Sequence, residues 1–195
     1  MNKLYILIAL TISFTVSAQI ATTGTSNSGL NASAIGFNTT ASNTVSTAMG
    51  RETLASGVSS TAMGYQTKAT NTAATAMGDN STASGVTSTA MGDNSTASGE
   101  TSIAMGFETE ATYSASIAMG YQTSSTEGAS TAMGFQTTAS GFGSTSIGYQ
   151  TTASGNSSTA MGWLTAANGK ASTAIGKSTI ASDFGSLVIG QYNLG

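Results

Sequence analysis

Hydroxyl groups are the most abundant reactive side chains in this 195-residue sequence, and nothing in it stands ready to activate them. Serine and threonine become nucleophiles when a neighbouring base takes their proton. The chain has no histidine and no cysteine, and its eight carboxylates are scattered along it. An enzyme is therefore not expected, and neither is a cofactor. Two acids do recur in register, in Asp79-Asn80-Ser81 and Asp93-Asn94-Ser95. Such a pair could offer oxygen ligands to Ca²⁺, but the Gly-Gly-x-Gly-x-Asp pattern of calcium-binding β-rolls is missing. Solvated turn residues are the preferred reading, and no metal is expected. A second constellation is aromatic: Phe37, Tyr65, Phe107, Tyr121, Phe135, Tyr149 and Trp163 recur at multiples of fourteen residues. The consecutive five, Phe107, Tyr121, Phe135, Tyr149 and Trp163, are a candidate ridge for a glycan or matrix protein, since aromatics are favoured in recognition. Structural stacking at a turn is the plainer reading of the same residues.

That recurrence leads to the elements that must carry these side chains. A motif of the form small-Thr-Ala-Met/Ile-Gly ends at Gly36 and again every fourteen residues to Gly190, without insertion or deletion. A disordered tract has no reason to keep such a register, whereas a solenoid does, because one extra residue would turn every later side chain off its stack. Numbering each unit from the Ser of Ser46-Thr47-Ala48-Met49-Gly50, position three is almost always Ala, position eight Thr or Ser, and position ten Ala except at Ser125. Glycine, Asn and Asp gather near position twelve. Each unit thus reads as two short strands, one over positions one to four ending at the glycine and one over positions six to ten. The fold class expected is all-β, a parallel β-solenoid of about twelve coils.

A fourteen-residue coil at ~3.3 Å per residue has a perimeter of only about 46 Å, so its interior admits small side chains. Alternation then puts positions one, three and five inside with positions eight and ten, and positions two and four outside. Position four holds Ile35, Met49, Met63, Met77, Met91, Met105, Met119, Met133, Ile147, Met161, Ile175 and Ile189. On the outside this column is a continuous apolar stripe of a size that monomers rarely leave exposed, and identical copies in a parallel cyclic assembly would cover it. The alternative is the reverse arrangement, Met inside and Ala outside, which would remove the case for assembly.

Composition agrees with an exported, narrow-cored β-structure. Charged residues make up 7% of the chain against roughly 25% in ordinary soluble proteins, and proline, which would remove a ladder donor, is absent. A net charge of −3, with Arg51, Lys68, Lys170 and Lys177 the cations beyond the N-terminal region, speaks against a nucleic-acid partner. An apolar run from Leu4 to Val16 after Lys3, followed by Val16-Ser17-Ala18, reads as a signal peptide over residues 1–18. Residues 19–31 are then a lead-in or partial coil, and 32–195 the repeats.

The unit around Ser130 to Gly141, Ser-Thr-Ala-Met-Gly-Phe-Gln-Thr-Thr-Ala-Ser-Gly, resembles the head repeat of trimeric autotransporter adhesins of the YadA type, as does that from Ser144 to Gly155. The resemblance spans nearly the whole chain after the leader. It implies a left-handed parallel β-roll packed as a homotrimer, with position four at the trimer interface. It also implies a head displayed outside the outer membrane of a Gram-negative bacterium, with a host or matrix protein or a glycan as ligand. The sequence departs from the family in having no heptad stalk, basic neck or C-terminal β-barrel, and it stops partway through a repeat. A fragment of a longer protein, or a head exported by another route, is expected. Two other functions remain open: an ice-binding solenoid using the threonine column Thr47, Thr61, Thr75 and Thr89, which Ile103, Ile117 and Leu187 interrupt, and a passive structural or fibre segment.

Overall fold

The computed structural model describes residues 23–193, so the expected signal peptide lies outside the described residues. Within them the chain winds as a parallel β-solenoid whose coils each give one strand to each of two 12-stranded sheets. Partners across both ladders are fourteen residues apart, as in Met49↔Met63 and Ala55↔Ala69. The expected fold class is the observed one. The first sheet runs from Ser33–Phe37 to Leu187–Gln191 and has five-residue strands. The second runs from Ser26–Asn27 to Ile180–Ala181 and has two-residue strands.

Strand boundaries differ from the expectation. The long strand occupies positions two to six and passes through the glycine, as in Thr47–Arg51, while the short one covers only positions nine and ten, as in Leu54–Ala55. The reason is a left-handed residue at position seven and another at position fourteen: Glu52 has φ 57°, Gln66 54°, Val45 57° and Ser59 54°. A left-handed residue breaks a strand and here aims its amide backward along the axis. Glu52 N–H donates to Phe37 O at 2.8 Å and Ser59 N–H to Thr44 O at 2.9 Å, both on the preceding coil. Strand amides donate forward instead, Thr47 to Ser60 O and Leu54 to Thr67 O at 2.9 Å each. Every coil is therefore bonded in both directions at its corners.

The interior is as narrow as the coil length requires. Positions one, three, eight and ten are buried as expected, and the largest fully buried side chains are threonines such as Thr39, Thr53 and Thr67. Serine at position one also fastens the turn before it: Ser60 Oγ donates to Gly57 O at 2.7 Å, and Ser102 Oγ to Gly99 O at 2.8 Å. At position eight, by contrast, several threonine hydroxyls, Thr53 and Thr67 among them, are buried with no hydrogen-bond partner among the described residues. Their methyl groups fill the space; their oxygens gain nothing from the fold.

Position five does not point inward as alternation suggested. Its glycines have φ between +112° and +135°, and a Cβ on Gly106 would lie 1.9 Å from Gly120 O on the next coil. The missing side chain faces along the solenoid axis, where backbone stacks on backbone. These two columns give opposite expectations in urea denaturation. Gly106→Ala should lower stability by at least about 1–3 kcal/mol through overpacking and backbone strain. Thr67→Val should be neutral or stabilising by about 1 kcal/mol, because it removes an unpaired buried hydroxyl at constant volume. A destabilised Thr67→Val would mean that the hydroxyl is bonded.

Candidate interaction surfaces

The outer face of the long-strand sheet carries positions two, four and six. Alanine at position three is buried behind it, while Met49, Met63, Met77, Met91, Met105 and Met119 at position four are half-buried and Met133 and Met161 reach 36% and 38% exposure. The arrangement with Met inside is thereby excluded. All twelve position-four residues stand in one register, Ile35 facing Met49 at one end and Ile175 facing Ile189 at the other. The result is an unbroken apolar column along the length of the sheet, flanked on one side at position two by half-buried Thr or Ile, with exposed Ser33 and Leu187 at the two ends.

On its other side runs the aromatic column. Phe107, Tyr121, Phe135 and Tyr149 stack face to face with ring centroids 4.9, 4.9 and 5.0 Å apart and planes within 8°. Trp163 follows at 5.4 Å but is tilted by 57°, so the expected ladder of five is a ladder of four with a tilted end. Beyond it the Lys177 ammonium lies 5.2 Å from the Trp163 ring centroid. At the other end of the solenoid Arg51 sits between Phe37 and Tyr65, 5.7 and 5.4 Å from their centroids. Arg51 and Lys177 thus stand against ring faces, which carry negative potential, while Asp79, Asp93 and Gln191 fill the remaining ringless places of the column. Stacking uses those faces up within the ladder and leaves the ring edges to solvent.

Beside the rings lies a feature that sequence reasoning missed. Position seven forms an amide ladder: Gln122 Nε2 donates to Glu108 Oε2 at 2.7 Å, Gln136 to Gln122 Oε1 at 2.8 Å and Gln150 to Gln136 Oε1 at 2.7 Å. The signal was available in the fourteen-residue spacing of Glu108, Gln122, Gln136 and Gln150, had the column been read as one. Gln66 Nε2 similarly donates to Glu52 Oε2 at 2.8 Å. That bond outweighs the opposing desolvation and, with smaller contributions from Arg51, holds the Glu52 carboxyl below its ordinary value.

Asp79 and Asp93 occupy adjacent coils, and beside them Asn80 Nδ2 donates to Asn94 Oδ1 at 3.0 Å. Among the described residues no group of three or more His, Cys, Asp or Glu is placed to hold a metal ion. Asn94, Thr96, Glu108, Thr109 and Glu110 line a shallow cleft of about 270 Å³ next to this pair.

A family model described as the YadA head domain repeat, in units of two copies, matches residues 28–53, 55–81, 83–109, 114–137, 139–165 and 167–193. Together these cover more than half of the chain. No curated protein matches it.

If the stacked rings stabilise the solenoid as a structural ladder, Phe135→Ala breaks two stacked pairs at once. A loss of about 1–3 kcal/mol is expected in urea denaturation, with the strand content unchanged by circular dichroism. A loss below about 0.5 kcal/mol would show that the ladder adds little to stability.

Proposed function

This chain belongs to the YadA head domain repeat family, and from that membership we propose that it is the non-catalytic head of a homotrimeric adhesin displayed on a Gram-negative cell surface. One observation carries the reading: the half-exposed Met/Ile column that runs in register along the whole outer face of the long-strand sheet. Each side chain still has apolar area to remove from water. At roughly 0.5–1 kcal/mol apiece, twelve of them amount to on the order of 10 kcal/mol per chain before the cost of association. An in-register stripe along a solenoid of constant fourteen-residue coils suits copies packed side by side and parallel, with equal positions meeting around a common axis. Ile35, Met49, Met63, Met77, Met91, Met105, Met119, Met133, Ile147, Met161, Ile175 and Ile189 form that interface.

Outward of the seam, the ridge from Phe107 to Trp163 and the amides beside it offer ring edges, tyrosine hydroxyls and amide groups to a host or matrix protein or a glycan. Ice binding gains less support, since the position-two threonines are broken by Ile103, Ile117 and Leu187 and stand against the Met column.

Sedimentation of residues 19–195 tests the assembly. A trimer is expected, and Met105→Asp with Met119→Asp should disperse it into folded monomers, because the carboxylates would be buried without partners. A monomeric unaltered chain, or a variant that still assembles, would overturn the interface. Tyr121→Ser with Tyr149→Ser should lower capture by a basement-membrane protein extract without changing the sedimentation; unchanged capture would remove the ridge from the reading.

A further inference from the structure

Shape alone does not account for methionine at position four. Isoleucine occupies the same column at Ile35, Ile147, Ile175 and Ile189 in the same strand register, and β-branched residues suit strands better than methionine does. The other eight coils carry a thioether, and in the single chain every one of those side chains is partly exposed. A thioether side chain is more flexible and polarizable than isoleucine, and in its chemistry it differs by reacting with two-electron oxidants.

We propose that the methionine column is an oxidation-sensitive gate on assembly, a regulation of the interface that rests on the reading above. A hydroperoxide is the oxidant. The sulfur lone pair attacks the outer peroxide oxygen, the O–O bond breaks, and a sulfoxide forms. With hydrogen peroxide, the departing hydroxide takes up the remaining proton and leaves as water. Sulfur loses two electrons and the peroxide gains them. The side chain becomes polar and chiral, and its new oxygen must be hydrogen-bonded or solvated.

The surroundings decide where this matters most. Beside most of the column stands a position-two threonine whose hydroxyl can answer a sulfoxide oxygen, but Met105 and Met119 have Ile103 and Ile117 there. Among the methionine coils these two adjacent ones lack a position-two hydroxyl. Each unanswered sulfoxide there weakens association roughly tenfold or more. Once assembled, the seam shields its own sulfurs, so the unassembled chain is the sensitive form. The solenoid itself survives, since the column lies outside the Ala, Ser and Thr core.

Order of addition tests the gate. Residues 19–195 are treated with hydrogen peroxide either while dissociated in urea or after assembly, and both samples are then compared by intact mass, circular dichroism and sedimentation. Oxidation before assembly should yield folded monomers that methionine sulfoxide reductases return to the assembled state, while the pre-assembled sample takes up oxygen more slowly. A variant with all eight column methionines replaced, Met105→Ile among them, should assemble whether treated or not. If untreated protein is already monomeric, the interface reading fails and the gate with it. If untreated protein assembles and its sulfoxide form assembles equally, or if the isoleucine variant is dispersed by peroxide too, the gate alone is overturned.

Discussion

Backbone amides in this molecule are answered from one coil away, and that axial ladder sets the terms for every side chain. Strand amides donate to the coil ahead and the left-handed corner amides to the coil behind, as Thr47 does to Ser60 and Glu52 to Phe37. The spacing leaves no room for a side chain directed along the axis, hence the glycine column from Gly36 to Gly176. It also fixes the register. Each residue stands over its counterpart fourteen positions on, so like meets like in the inner columns and at position four, as Ala48 meets Ala62 and Met91 meets Met105.

The second consequence is a reversal of the usual arrangement of apolar bulk. Two sheets joined by such short turns enclose Ala, Ser and Thr, with Val188 packed against the last of them, and most larger hydrophobic side chains are left outside. A core of this kind contributes less hydrophobic burial per residue than a globular one. Stability has to come from the ladders: hydrogen-bonded backbone, stacked rings at position six and linked amides at position seven. A chain in which Met119 sits outside and Ala118 inside has much of its hydrophobic free energy still to gain by association.

Much of this was legible in the residues. The period, the small interior at positions one, three, eight and ten, and the outward Met column follow from counting and alternation, because parallel stacking repeats the same environment fourteen residues on. The corners were not legible. Left-handed φ at Asn38, Asn80 and Asn94 has a familiar residue type behind it, but Val45, Thr87 and Thr101 adopt it as well. There the coil-to-coil hydrogen bond overrides local preference, so the expected second strand was drawn too long. The glycine at position five was assigned to the wrong direction for a related reason: alternation knows two faces, while its missing Cβ points along a third axis. At position seven the Gln column went unread because each amide's partner lies a full coil away.

The central claim is that the outer Met column is where copies of this chain meet, equal position to equal position. The chain has no cysteine, so single thiols can report on it without interference. The most direct measurement is crosslinking of Met119→Cys by a short bis-maleimide, compared with Ser124→Cys on the opposite, short-strand sheet. The account predicts rapid covalent pairing of copies through position 119 and little through position 124. Equal crosslinking at the two sites, or none at position 119, would contradict it.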